Sequence, residues 1–358
     1  MTGKKKSLGT DSRGFTLVEL LVSMSILVLM TVLMLSVVSS TQNIWRQNAS
    51  RTEEFREARR AFDRINQQLA QATLNVYWDY VDASGNPRSA TSGYSYTTGT
   101  FQPTAYFRLS ELRFIITRAS GLTPPHSNGT MKGLAVFFQA PVGSATGNNL
   151  SGMNYLVNTI GYYVEKGSNA GMIPIPPLTT NFAKDRYRVY EMIEPTENLT
   201  IYSLTSGTAN YPGKDWFTTP LASGTGAYSC RLADNIVALL FRADYRDKIG
   251  ATGTNKYAYD STPQPRPLTS QPIEENNLPP NIHITMIAVD EISGRRITDQ
   301  SIPLTDAQND NPDPLSGSGP PQDPSSLSYL EKQLIDNHLN YRKFESTIKI
   351  GSSKWSSQ

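Results

Sequence analysis

The pattern of hydrophobic and polar positions changes along this chain, and each change predicts a different kind of element. From Phe15 to Val38 nearly every residue is apolar, and from Asn43 to about Tyr77 the apolar residues recur every three or four positions. After Tyr80 they occur in short runs separated by turn residues. These patterns are typical of a membrane-spanning helix, an amphipathic helix and a set of β-strands, respectively.

No helix breaker separates the two helical patterns. No glycine lies between Gly14 and Gly85, and Pro87 is the first proline of the chain. Glycine and proline interrupt helices more than other residues do, so we predict one long helix. Its apolar part covers residues 15–38, and its amphipathic continuation covers residues 39–80. The predicted buried face of the continuation consists of Phe55, Ala58, Phe62, Ile65, Leu69, Ala72 and Val76. This run is short for a coiled coil, so we expect it to pack on a sheet of the same chain.

The rest of the chain, residues 81–358, has the pattern of a loop-rich β domain. Its apolar runs are rich in Val, Ile, Tyr and Phe and are bounded by Gly, Pro or Asn. The predicted strands are Leu112–Thr117, Gly133–Gln139, Thr159–Glu165, Tyr187–Glu194, Ile236–Ala243, Ile282–Val289 and Tyr341–Ile350. A short helix is predicted at Leu330–Leu339. The expected fold is therefore α+β, with a long N-terminal helix, membrane-spanning in its first half, packed on an antiparallel β-sheet domain.

The composition argues against several classes of function. Of 358 residues, 38% are hydrophobic and 18% are charged, and the net charge is only +2. Nucleic acid is therefore not an expected partner, because binding a phosphate backbone needs clustered Lys and Arg. The single cysteine, Cys230, excludes an intrachain disulfide, and without a nearby histidine it is interpreted as a buried or idle thiol. The aromatic residues are spread along the strands, which favours core and turn packing over a carbohydrate platform.

Motifs for catalysis or metal binding are not evident. The histidines fit no ligand spacing: His126, His283 and His338. His283 is interpreted as an ordinary residue of a strand. A Gly-, Ser- and Pro-rich insert, residues 294–326, contains the acidic residues Asp306, Asp310 and Asp313. It lacks the spacing and the glycine of an EF-hand, so a solvated loop is favoured over a calcium site. We predict no catalytic residue, metal or cofactor, and a protein that is not an enzyme.

The apolar segment carries one residue that does not fit a lipid environment. At about 1.5 Å per residue, Phe15–Val38 would extend for about 36 Å, enough for a hydrocarbon layer of about 30 Å. Basic residues cluster before it, in the leader of residues 1–14, which predicts that the leader is cytoplasmic and the rest exported. Glu19 lies four residues after Phe15, although a carboxylate at the bilayer centre costs about 2.5–3.5 kcal/mol.

Three interpretations of this segment remain open. A secretory signal peptide has an apolar core of about 7–15 residues, shorter than this one, although Ser36–Ser39 offers a weak cleavage site. A permanent anchor explains the length but leaves Glu19 unexplained unless its carboxylate reaches the headgroups. Cleavage between Gly14 and Phe15 would instead create an α-amino group, whose reference pKa is about 8, near Glu19. The amine of one copy could then meet the carboxylate of the next and fix the register of assembly.

Residues 13–20, RGFTLVEL, follow a basic leader and precede an apolar helix. They closely resemble the class III signal of type IV prepilins and type II secretion pseudopilins. This resemblance implies cleavage after Gly14 by a prepilin peptidase, N-methylation of Phe15, and Glu19 as the assembly carboxylate. It also implies a pilin-like fold, with inner-membrane lipid and other pilin-like subunits as partners of the helix. No proline interrupts this apolar helix, unlike that of many major pilins, so a straighter helix is expected.

Two further stretches carry resemblances. Residues 54–72 resemble the corresponding stretch of minor pseudopilins of the J type. Residues 233–239, 278–290 and 339–355 resemble an uncharacterised prepilin-like family, the cassette protein C group of Verrucomicrobia. The second of these families has no established function and indicates kinship alone. The class III signal and the J-type stretch imply a minor pilin or pseudopilin-like subunit of a type IV pilus or type II secretion-like filament, with a periplasmic globular domain. The alternative is an uncleaved single-pass membrane protein whose periplasmic domain is a binding module.

Overall fold

The computed structural model describes residues 16–83, 101–126, 129–147, 150, 152–168, 185–202, 214–222, 228–244, 258–262, 271–299, 302 and 329–353. The chain divides into two compact units, Met1–Glu53 and Glu54–Gln358. Helix α1 spans Leu17–Leu69, so that its apolar part belongs to the first unit and the end of its amphipathic part to the second.

The second unit is built mainly of antiparallel strands. The strands are β1 Tyr77–Val81, β2 Ala105–Leu109, β3 Phe114–Arg118, β4 Thr130–Pro141, β5 Val157–Ser168, β6 Asp185–Glu194, β7 Ser229–Asp234, β8 Ile236–Asp244, β9 Tyr259–Asp260, β10 Asn281–Val289 and β11 Tyr341–Lys349. The further helices are α2 Asp215–Ala222, α3 Glu291–Asp299 and α4 Tyr329–Asp336. A six-stranded sheet has the order β7-β6-β5-β4-β3-β9, a three-stranded sheet the order β11-β10-β8, and β1 and β2 form a two-stranded ribbon. The fold is α+β, as predicted.

The predicted strands are confirmed, with ends that differ by a few residues, and the short helix predicted at 330–339 is α4. The sequence did not predict β1, β2, β7 and β9. β7 is an edge strand with exposed polar residues, so it shows no apolar run. β9 has only two residues and forms because it pairs with β3.

The predicted end of the long helix is wrong, because α1 ends at Leu69 and not near residue 80. Thr73 donates its N–H to the carbonyl of Gln139 at 2.9 Å, and the side-chain oxygen of Asn75 accepts the N–H of Glu111, also at 2.9 Å. These bonds to distant residues hold the chain after the helix in a non-helical conformation. Tertiary contacts therefore override a local sequence that lacks a helix breaker.

The predicted buried residues are confirmed, although Ala72 and Val76 lie beyond the end of α1. Ala58, Phe62, Ile65, Leu69 and Ala72 are buried, and Phe55 and Val76 are partly buried against the same core. The ring of Phe62 lies 5.7 Å from the ring of Phe344 in β11, so this face packs on a sheet of the same chain. The same core takes buried residues from both the three-stranded and the six-stranded sheet.

A group of polar side chains, which we call the helix clasp, joins α1 to the six-stranded sheet. Arg64 donates from Nε and Nη2 to the two carboxylate oxygens of Glu191, each at 2.8 Å, and the Tyr162 hydroxyl donates to Glu191 at 2.7 Å. The hydrogen bond to Glu191 raises the pKa of Arg64. Burial raises the pKa of Tyr162, and the charge of Glu191 acts in the same direction. The clasp thereby fixes the rotation of this part of the helix on the sheet.

Residues predicted to begin a long insert form helix α3 instead. Asp290 caps this helix, since its carboxylate accepts the N–H of Ser293 at 2.8 Å. Glu54 of α1 accepts the N–H of Glu291 at 2.8 Å and so supplies a second carboxylate at the same helix end. Gly294, the predicted start of the insert, is therefore inside a helix, whereas residues 303–328 lie outside the described residues.

Candidate functional site

The beginning of helix α1 is built around Thr16 and Glu19. The Thr16 hydroxyl oxygen accepts the N–H of Glu19 at 3.3 Å, and Glu19 Oε2 accepts the N–H of Thr16 at 3.3 Å. The hydroxyl of Thr16 also lies 3.2 Å from Glu19 Oε2. This reciprocal arrangement is a capping box, which satisfies backbone donors that have no partner within the helix. A carboxylate in the first turn also interacts favourably with the helix dipole.

The helix that follows is apolar on every side. The span Leu17–Gln42 is strongly apolar, and none of its residues is buried. Within this span Glu19 is the only charged residue. Among the described residues it is the one helix long and apolar enough to cross a membrane. Its exposed apolar surface fits a single-pass membrane anchor.

Hydroxyl groups within the apolar helix are hydrogen-bonded to their own backbone. The Ser23 hydroxyl donates to the carbonyl of Leu20 at 2.9 Å. In the same way Ser25 donates to the carbonyl of Val22, and Thr31 to the carbonyl of Leu27, each at 2.8 Å. An unsatisfied polar group in hydrocarbon costs several kcal/mol, so these bonds make the segment compatible with lipid. Glu19 differs: the bonds that the structure describes for its carboxylate use Oε2, which leaves Oε1 able to accept a further donor.

The role of Thr16 was not predicted from the sequence. Glu19 was expected either to reach the lipid headgroups or to bind a neighbouring copy, whereas the structure gives it a partner in its own chain, Thr16. The spacing Thr-x-x-Glu just before an apolar run is the signature that could have identified this cap. Gly14 and Phe15, the predicted processing residues, lie outside the described residues, and the assembly role of Glu19 stays a prediction.

The histidines lie in separate places. His126 Nδ1 is 2.9 Å from the buried carboxylate of Glu165. His283 joins the three strands of its sheet, because Nε2 lies 2.8 Å from Asp244 and Nδ1 lies 2.8 Å from the hydroxyl of Thr347. Both are thus structural polar contacts within or beside a sheet. Across the described residues, no group of three or more His, Cys, Asp or Glu side chains could hold a metal ion.

The other sequence candidates are Cys230, His338 and three acidic residues. The thiol of Cys230 is exposed on β7 and not buried. His338 follows α4 in a left-handed backbone conformation, with a φ of 51°. The acidic residues Asp306, Asp310 and Asp313 lie outside the described residues.

Comparison with known proteins identifies the N-terminal segment. A family model described as the prokaryotic N-terminal methylation motif matches residues 10–35, which include Thr16, Glu19 and much of the apolar helix. No curated protein and no solved structure matches the chain. The N-terminal segment therefore carries a prepilin-type methylation motif at the start of an apolar helix.

Proposed function

We propose that the protein is a structural subunit, a minor pilin or pseudopilin-like component of a type IV pilus or type II secretion-like filament, and not an enzyme. The observation that carries this proposal is the methylation motif at residues 10–35, joined directly to an exposed apolar helix with a single carboxylate. The likeness of residues 54–72 to J-type minor pseudopilins supports a minor component of the filament.

Processing and membrane insertion follow from the same segment. A prepilin peptidase would cut after Gly14 and methylate the new N-terminal Phe15. Residues 1–14 would be the cytoplasmic leader and residues 15–38 the inner-membrane helix, because the basic residues precede the apolar run. The β domain would then be periplasmic until the subunit enters the filament.

The capping box suggests how Glu19 takes part in assembly. Thr16 holds the Glu19 carboxylate through Oε2. The other oxygen, Oε1, can accept a hydrogen bond from the α-amino group of Phe15 in a neighbouring copy. In a bundle of apolar helices, where the dielectric constant is low, the positive amino group and the negative carboxylate attract each other strongly. Helices that are out of register would leave the carboxylate without its charged partner. The contact would therefore select one register, and other pilin-like subunits would be the partners of the helix.

Mass spectrometry of the N-terminus tests this proposal. The protein is isolated from the membranes of the cells that naturally produce it. We expect a chain that begins with N-methylated Phe15. A matched Gly14→Val variant should retain residues 1–14, because the glycine precedes the bond that is cut. An intact leader on the wild-type chain would contradict the proposal and favour the uncleaved anchored binding module. A start near Ser39 would instead indicate a secretory signal peptide.

A further inference from the structure

The β1–β2 ribbon has one buried and one exposed face. Tyr80 pairs with Tyr106 across the two strands, and side chains alternate between the faces. Asp79, Val81 and Phe107 are buried on one face. On the other face Trp78 is 54% exposed, Tyr80 50% and Tyr106 55%, and we call these three residues the aromatic platform. Aromatic residues were expected in the core and in turns, and for these three residues the expectation is wrong.

The rings of the aromatic platform contact one another. The rings of Trp78 and Tyr106 are 5.5 Å apart with an angle of 21° between their planes, and those of Tyr80 and Tyr106 are 5.2 Å apart. Single exposed aromatic residues are normal on protein surfaces, but a contiguous group indicates a binding surface. The platform combines apolar rings with the hydroxyl groups of two tyrosines.

The strand that carries Tyr106 is held in place by a distant segment. Arg108 donates from Nη2 to the carbonyls of Ile273 at 3.0 Å and Glu275 at 2.8 Å. The side chain of Gln271 bonds to both backbone groups of Arg108, at 3.0 Å and 2.6 Å. The platform is therefore ordered before a ligand arrives, which lowers the entropic cost of binding.

Charge argues against an ionic ligand. On the platform face of the two strands, β1 and β2, one residue is charged, and this is Arg108. Its Nε and Nη2 already donate to backbone carbonyls. A phosphate or carboxylate ligand would need cations that are free to bind it. The neighbouring Asp79 is buried on the opposite face. The face therefore suits a neutral ligand.

A protein partner fits the platform less well. The main-chain N–H of Tyr80 already bonds to the side chain of Asp79 at 2.8 Å, so this edge is partly blocked for an added strand. Three side chains also provide far less than the roughly 800 Å² per partner of a stable protein interface.

We propose that the aromatic platform binds a neutral polysaccharide. The apolar C–H face of a pyranose ring would lie on the rings of Trp78 and Tyr106, and sugar hydroxyls would bond to the hydroxyls of Tyr80 and Tyr106. This activity is separate from helix assembly and does not depend on cleavage of the leader.

Sedimentation of the full-length chain with insoluble cellulose, chitin, starch and mannan tests the proposal. The detergent must lack a sugar headgroup, because such a headgroup would compete for the platform. We expect binding to at least one of these polysaccharides, insensitive to salt. Trp78→Ala and Tyr106→Ala should each weaken it by at least roughly tenfold. Tyr155→Ala removes another ring, 85% exposed and outside the platform, and should leave binding unchanged.

Trp78→Phe separates a loss of contact from a loss of folding, since it keeps an aromatic ring and should recover part of the affinity. Near-ultraviolet circular dichroism should show that the alanine variants remain folded. The absence of wild-type binding to all four polysaccharides overturns the proposal. Equal binding by wild type and a folded Trp78→Ala variant, or binding abolished by raised salt, overturns it as well.

Discussion

The helix clasp gives the sharpest prediction about stability, through the variant Arg64→Ala. Arg64 is 48% exposed, but the Glu191 carboxylate that it binds is only 3% exposed. Removing the guanidinium leaves a buried negative charge, to which the Tyr162 hydroxyl still donates at 2.7 Å. The cost is therefore set by the desolvated carboxylate and not by the exposed arginine.

The exposure of the two partners sets the expected magnitude. Breaking a fully buried pair costs about 3–5 kcal/mol, and an exposed pair contributes about 0–1 kcal/mol. Water can enter beside Glu191 once the half-exposed Arg64 is truncated, so we expect an intermediate loss of about 1–3 kcal/mol. Arg59→Ala is the matched control on the same helix, because the Arg59–Asp63 pair is 62% and 56% exposed. It should cost less than about 0.5 kcal/mol.

Urea unfolding of the full-length chain in detergent, followed by near-ultraviolet circular dichroism, measures both losses. Adding Glu191→Gln to Arg64→Ala should recover part of the stability, since the buried charge is then removed. Equal, small losses for Arg64→Ala and Arg59→Ala would refute the reasoning, because the clasp would then behave as an ordinary exposed ion pair.

Further predictions concern the β domain. Gly129→Ala should lower the free energy of unfolding by about 1–3 kcal/mol, because its Cβ would lie 1.7 Å from Oε1 of the buried Glu165. Gly121→Ala, with nothing within 4 Å of its Cβ, should be nearly neutral, and urea unfolding measures both variants. Burial raises the pKa of Glu194 above 4.5, so its ionisation costs stability as the pH rises through the folded-state value. Glu194→Gln should therefore gain stability relative to wild type as the pH rises above about 4.5. A difference in urea midpoint that stays constant with pH would contradict this.

Where hydrophobic periodicity reflects burial, the sequence predicted the structure well. The three- and four-residue steps through Phe62 and Ile65 identified the face that α1 buries. Runs of β-branched and aromatic residues identified the interior strands, including β10. These elements bury apolar side chains in a regular pattern, so the sequence alone shows them.

The features that the sequence did not show depend on distant residues. The helix ends early because Asn75 bonds to Glu111, far along the chain. Trp78 belongs to a short ribbon that forms only when β2 pairs with β1, so its exposure could not be inferred from composition. Thr16 is the exception: its signature is local, at a fixed distance from Glu19, and could have been found.

The assembly role of Glu19 is the central claim, and its most direct test is the variant Glu19→Gln. Glutamine can still close the capping box but carries no charge, so the variant separates the electrostatic role from helix capping. Thr16→Val is the matched control, because it removes the capping hydroxyl and keeps the carboxylate.

The measurement is the amount of each variant in the sheared filament fraction, with membrane insertion and N-terminal processing followed in parallel. We predict that Glu19→Gln is inserted and cleaved but absent from filaments, whereas Thr16→Val is incorporated at nearly the wild-type level. Incorporation of Glu19→Gln at the wild-type level would contradict the account.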